Sequence, residues 1–172
     1  MIRGKNIHLR LFHERDLDFL IEAFHDLEKR GDHFPHSLMS GETFKKQFRE
    51  DGCWSGETGR MAICDKDGRI VGWIWFFTTA PYFDGYEIGY IVFDKGDRGK
   101  GYMTEALTLF TRYLFDTKKI NRLQLGIHPD NAASKKVAEK CGYRFEGLLR
   151  GSIFMHGKNH DTEMYSRLRG DG

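Results

Sequence analysis

An apolar run, Ile88-Gly89-Tyr90-Ile91-Val92-Phe93, leads through Asp94-Lys95-Gly96-Asp97 into Arg98-Gly99-Lys100-Gly101. Tyr102-Met103-Thr104-Glu105-Ala106-Leu107 then opens a helical pattern. An apolar strand, a glycine-rich basic turn and a helix N-terminus in this order form a cradle for an anion. Glycine lets the backbone take positive φ and approach a ligand closely. The unpaired N–H groups of the first helical turn and the helix dipole then both favour negative charge. The segment therefore predicts an α/β chain with a phosphate site at a strand-to-helix junction.

Known phosphate loops narrow the reading. Aligned on Gly99-Lys100, a Walker loop would need glycine at Asp94 and serine or threonine at Gly101, so it fails twice. A dinucleotide fingerprint starting at Gly99 and Gly101 meets Thr104 where its third glycine belongs. Alone, the loop reads as an ordinary helix start with two turn glycines.

Periodicity around the loop predicts one domain over 1–172 with a mixed sheet covered by helices. Strands are expected over Asn6–Leu11, Arg60–Cys64, Arg69–Thr79, Tyr86–Asp94, Arg122–His128, Tyr143–Phe154 and Thr162–Leu168. Helices are expected over Glu14–Lys29, from Ser40-Gly41-Glu42-Thr43 onward, after Gly101, and over Asn131–Lys140. That makes about seven strands, mostly antiparallel, and about four helices. Asp65-Lys66-Asp67-Gly68 and Gly157-Lys158-Asn159 read as hairpin turns. Ile70–Phe77 is apolar on both faces and predicts a central strand. Met103, Ala106, Leu107, Phe110 and Leu114 fall on one helix face.

Charge and cysteine content exclude several classes. A net charge of +2 with interspersed signs gives no footprint for nucleic acid. No run approaches the roughly 20 apolar residues of a membrane span, and Met1–Asn6 carries no signal-peptide core. The three cysteines, Cys53, Cys64 and Cys141, form no paired motif and predict free thiols in a reducing cytoplasm. His33 and His36 in one loop, and His156 and His160 beside a turn, make poor metal sites, so no metal is expected.

A second constellation completes the first. His128-Pro129-Asp130-Asn131-Ala132-Ala133-Ser134 follows a strand and opens a helix that runs to Cys141-Gly142-Tyr143-Arg144-Phe145-Glu146-Gly147. The chain closes on Asp161-Thr162-Glu163-Met164-Tyr165-Ser166-Arg167-Leu168. Together with Arg98–Ala106, these segments resemble the GNAT family of N-acetyltransferases, and within it the RimJ/RimL-like branch that acetylates ribosomal-protein N-termini. The resemblance covers nearly the whole chain. The family's coenzyme A loop departs at one place, since Gly96 stands where glutamine or arginine is usual.

The resemblance implies acetyl-CoA as co-substrate and direct attack of a primary amine on the thioester. It implies pyrophosphate binding by the backbone of Arg98, Gly99, Lys100, Gly101, Tyr102 and Met103, with any cation contact coming from Arg98 or Lys100. The pantetheine arm is expected along Ile91, Val92 and Phe93, with Asn131 hydrogen-bonded to it. Many family members protonate the leaving thiolate with a tyrosine, but Ala138 holds that position here. Ser134 is the expected substitute; by itself it also reads as a first-turn residue making a local backbone bond. Glu87, on a largely apolar strand with Gly89, Ile91 and Phe93, is either a general base or a sheet-edge charge paired with Arg or Lys. Glu105 is the weaker base candidate and fits a helix first turn.

The implied acceptor is a protein N-terminal α-amine. The alternatives are a small amine (antibiotic, amino acid, polyamine or aminoacyl nucleotide) or a non-catalytic acyl-CoA-binding module. Neither a nucleic acid nor a membrane partner is expected, and the chain is expected as a monomer or homodimer. Phe34, Pro35 and Pro81-Tyr82-Phe83 are expected to line the acceptor entrance, while Trp73 and Trp75 read as core or pocket wall.

Overall fold

The computed structural model describes residues 1–80 and 82–171. Eight strands form one sheet in the order β1-β2-β3-β4-β5-β6-β8-β7. They are β1 (Ile2–Arg3), β2 (Ile7–Arg10), β3 (Thr58–Asp65), β4 (Ile70–Phe77), β5 (Gly85–Val92), β6 (Arg122–Ile127), β7 (Arg144–Met155) and β8 (Lys158–Leu168). The helices are α1 (Leu17–His25), α2 (Leu27–Arg30), α3 (Gly41–Asp51), α4 (Tyr102–Thr117) and α5 (Ala132–Lys140). All neighbouring strands are antiparallel except β5 and β6.

The sheet separates two apolar layers. On one face Ile74, Phe76 and Ile88 pack against Met103, Ala106, Leu107, Phe110 and Leu114 of α4 and Ala138 of α5. This is the helix face expected from spacing, and burying each of its large side chains stabilises the fold by about 1.5–3 kcal/mol. On the other face Ala62, Cys64, Trp73, Ile91 and Phe93 pack against Leu17, Leu20 and Phe44 of α1 and α3. Adjacent residues of β4 therefore serve opposite layers, which is why that strand is apolar throughout.

Local chemistry explains where the structure departs from expectation. The first predicted helix is two, because Asp26 leaves helical geometry at ψ 88° and its carboxylate accepts from Lys29 N, capping α2. A two-residue strand, Ile2–Arg3, pairs with His8 and Leu9 and adds one edge strand, too short to show a period. The last hairpin turns at His156-Gly157, both with positive φ, so β8 begins at Lys158 instead of Thr162. That is the geometry of a two-residue hairpin loop matching strand twist. As expected, Ser40 caps α3, accepting from Thr43 N at 3.3 Å.

Among the described residues no helix is long and apolar enough to cross a membrane. Cys53, Cys64 and Cys141 are buried free thiols.

Candidate active site

Strands β5 and β6 pair only over Gly85–Glu87 and Arg122–Gln124. Beyond Glu87 they part, and a cavity of about 570 Å³ opens against the free edge of β5. Tyr90, Ile91 and Val92 line it from β5, Gly99, Gly101, Tyr102 and Met103 from the loop and α4, and Asn131 and Ser134 from the start of α5.

The loop has the backbone an anion site requires. Gly99 and Gly101 have φ of +77° and +81°, and a Cβ at either would meet nothing within 4 Å. Gly101 is the N-cap of α4 and offers no side chain to its first-turn N–H groups. By contrast, α5 is capped by Asn131 and α3 by Ser40. The α4 N-terminus thus faces the cavity with unsatisfied donors and a positive dipole end.

The charged side chains of the loop are committed within the chain. Asp97, 5% exposed, accepts from Arg69 at 2.7 Å and from Lys100 at 2.9 Å. Hydrogen bonding from Arg69 and Lys100 holds its carboxyl down at about 2. Arg98 reaches 2.5 Å to the Lys29 carbonyl and ties the loop to the end of α2. Arg98 and Lys100 thus each have a partner within the chain, beside the backbone N–H groups of the loop.

Strand alternation sorts the pantetheine residues. Phe93 N–H donates to Val71 across β4 at 3.0 Å. In an antiparallel pair, successive residues turn their backbone groups to opposite edges. Ile91 and Phe93 thus point theirs at β4, and Val92 and Tyr90 point theirs into the cleft. The expected trio is corrected to Val92 with Tyr90 as the free-edge donors and acceptors. Asn131 Oδ1 accepts from Ser134 N at 3.0 Å, which leaves its Nδ2 as the group able to donate to a ligand.

Ser134 has a partner that sequence reasoning missed. Tyr90 Oη lies 2.7 Å from Ser134 Oγ. Burial raises the Tyr90 phenol well above its ordinary range, so it stays protonated. No spacing signal links residues 44 apart, and Tyr90 reads in sequence as one more apolar strand residue.

Glu87 projects from the opposite sheet face to Tyr90, on the side of Gly89 and Ile91. Among the described residues its hydrogen-bond partner is the neutral amide of Gln124, at 3.0 Å, and neither Arg nor Lys pairs with it. Burial raises its carboxyl, partly countered by that bond. Glu105 is a structural residue: it accepts from the backbone and side-chain nitrogens of Asn6, at 2.9 Å and 3.1 Å, anchoring the N-terminal turn to α4.

Aromatic residues wall the Glu87 face. A Cβ on Gly89 would sit 2.2 Å from Trp75 Cζ2, so only glycine lets that indole lie flat on β5. Phe34 contacts Trp75 and Phe24 edge-on, and the Pro35 carbonyl accepts from Arg30. Trp73 is buried core. Tyr82 and Phe83 are exposed on the β4–β5 loop; Pro81 lies outside the described residues. The histidines read as isolated pairs come together: His33 stacks on His128 with centroids 5.0 Å apart, and His128 Nε2 lies 3.0 Å from His160 Nδ1. Gly89→Ala is expected to displace Trp75 and destabilise the fold by about 1–3 kcal/mol through overpacking. Denaturant unfolding checks this, and an unchanged midpoint would contradict it.

An uncapped helix facing a glycine turn, opening onto a cleft between two diverging strands, fits the acyltransferase class that the sequence resembles. The family model for the acetyltransferase (GNAT) domain matches residues 6–144, and the chain belongs to the GNAT acetyltransferase family. It is an N-acetyltransferase resembling the RimJ/RimL-like branch. The probable N-acetyltransferase YjcK of Bacillus subtilis is 38% identical over 84 residues, which span 49% of this chain and 46% of that protein. The putative ribosomal N-acetyltransferase YdaF of Bacillus subtilis is 27% identical, covering 96% of this chain and 93% of YdaF. The fold matches the crystal structure of spermidine N-acetyltransferase from Vibrio cholerae, in complex with CoA and spermine, at TM-score 0.82. That likeness covers 96% of each chain at 17% identity.

Proposed function

We propose that the chain transfers an acetyl group from acetyl-CoA to a primary amine within the cleft between β5 and β6, the amine being that of a protein N-terminus. The observation that carries the reading is the cleft itself. It joins an uncapped helix N-terminus to an unpaired strand edge, with Ser134 on one side of the sheet and Glu87 on the other. The site fits the co-substrate on its own features. The backbone of Arg98, Gly99, Lys100, Gly101, Tyr102 and Met103 would hold the pyrophosphate, the free edge at Tyr90 and Val92 the pantetheine amides, and Asn131 Nδ2 a pantetheine carbonyl.

Acetyl-CoA supplies the activated acyl group as a thioester. Glu87 takes a proton from the attacking amine, directly or through water, and its raised pKa brings it closer to that task. A backbone N–H on the free edge of β5 stabilises charge at the carbonyl oxygen. Ser134, oriented by Tyr90, donates a proton to the departing sulfur. The branch resemblance and YdaF support a protein N-terminus as acceptor; the spermidine enzyme shares the fold and makes a small amine the competing acceptor.

Thiol release from acetyl-CoA across a panel of peptides and small amines tests the reading. Amine-dependent release is expected, and coenzyme binding without release for any amine would overturn it. Glu87→Gln is expected to lower kcat/KM by about 10²–10⁴-fold. The wild-type rate should rise with pH through a group titrating above the ordinary carboxylate range, and the variant should lose that limb. The stability sign is opposite. Because folding raises the Glu87 pKa, its contribution is most favourable below the unfolded value and is lost as pH rises through the folded one. Glu87→Gln should therefore be at least as stable as wild type at neutral pH. A retained acid limb would remove Glu87 from the role of base.

A further inference from the structure

Arg30 is 5% exposed at the end of α2. Its guanidinium lies between the rings of Phe24 and Phe34, 4.1 Å and 4.6 Å from their centroids. It donates to the carbonyls of Phe24, Pro35 and Ser37, and its Nε is buried without a partner among the described residues. No carboxylate of the described residues forms an ion pair with it. Carbonyls satisfy donors but leave a full positive charge uncompensated in a low-dielectric setting, an arrangement that favours an incoming anion. Arg30 lines the same cavity as Tyr90 and Ser134.

The histidines extend this wall. His33 lines the cavity and stacks on His128, which shares a hydrogen bond with His160. His160 Nε2 is buried with no partner among the described residues. His156 Nε2 lies 3.1 Å from the Asp32 carbonyl and its ring meets His36 edge-on at 4.1 Å, pinning the segment after α2 to the last hairpin. On the sheet face carrying Glu87, register places Gln124 and Gly126 on β6, with His128 directly after it, and Met164 and Ser166 on β8, with Thr162 and His160 following by alternation. Glu87 is the one carboxylate among those residues, and the nearby Glu146, which accepts from Ser166, is neutralised by Arg122. Exposed Glu28 and Asp32 at the cavity rim are accompanied there by Lys95, Arg98, Lys136 and Lys140. A polyamine needs several carboxylates for its ammonium groups; this wall offers imidazole donors and a buried guanidinium instead.

We propose that the acceptor carries a carboxylate close to its reactive amine, recognised by the wall that Arg30, His33, His128 and His160 form. The inference rests on the acetyltransferase reading of the cleft and names the acceptor class for it. The carboxylate can be an acidic side chain near a peptide N-terminus or the α-carboxylate of a free amino acid.

The test measures kcat/KM by thiol release for the amidated peptides Ala-Glu-Ala, Ala-Gln-Ala and Ala-Lys-Ala, for alanine against alaninamide, and for spermidine. The Glu peptide is expected to exceed its Gln counterpart by about tenfold, with the Lys peptide lowest, as charge complementarity across a partly desolvated contact predicts. A preference for alanine over alaninamide instead would support the α-carboxylate source. Equal rates in both acid–amide comparisons, or a preference for spermidine, would overturn the proposal. His128→Asn is expected to bring the acid-to-amide ratio toward one while CoA binding is unchanged. Exposed His33→Asn serves as the second variant if His128→Asn fails to fold, and a ratio that survives in the folded variants would also overturn it. Absence of thiol release with every amine would instead remove the underlying acetyltransferase reading, and this inference with it.

Discussion

Gly101→Glu is expected to weaken CoA binding by at least about 100-fold while the protein remains folded. The change acts on the ligand far more than on the fold. Residue 101 has φ +81°, a left-handed conformation that costs a non-glycine residue about 1–2 kcal/mol. A Cβ there meets nothing within 4 Å in the free chain, so the cost to the fold stays small. The added carboxylate instead enters the space where the pyrophosphate would meet the α4 N-terminus, replacing an attraction with repulsion between like charges. Exclusion of the ligand and that repulsion are together expected to reach the roughly 2.7 kcal/mol that corresponds to 100-fold. Isothermal titration with CoA, alongside circular dichroism, checks the prediction. Unaltered affinity in a folded variant would place the phosphates elsewhere.

Ser134→Ala is expected to lower kcat by about 10²-fold or more with little change in CoA affinity, since proton donation to a leaving group contributes at that scale. Tyr90→Phe should fall in the same direction but less far. It keeps the serine and removes only the hydroxyl 2.7 Å away that orients it. The double variant should lose scarcely more than Ser134→Ala, because residues acting as a unit are not additive. Ser134 N–H capping by Asn131 survives the alanine change, so α5 should keep its stability. Single-turnover kinetics with acetyl-CoA and an active amine separates this step from product release. Independent, additive losses would show that the tyrosine does not act through the serine.

Local chemistry made most of the fold legible in the sequence. The face of α4 from Met103 to Leu114, the Ser40 cap and the two-faced apolar character of β4 are all properties of neighbouring residues. The positive-φ glycines of the loop are local too, and so the anion cradle could be read directly. What escaped were features created by tertiary contact. Asp26 looked like one more polar helix residue until its carboxylate capped the next turn. Arg30 carries no signal in the sequence, since the fold alone buries it between Phe24 and Phe34. Tyr90 and Ser134 belong to different elements, as do His33 and His128, and only the parting of β5 from β6 creates the space they share. The internal partners of Arg98 and Lys100, the Lys29 carbonyl and Asp97, were also invisible in the sequence.

The most direct test of the account is a crystal structure of the chain with CoA bound. The account predicts pyrophosphate on the backbone of residues 98–103, the pantetheine arm on the free edge of β5 at Tyr90 and Val92, and the sulfur within hydrogen-bonding reach of Ser134 Oγ. A coenzyme lying outside the cleft between β5 and β6, or a sulfur remote from Ser134, would contradict it.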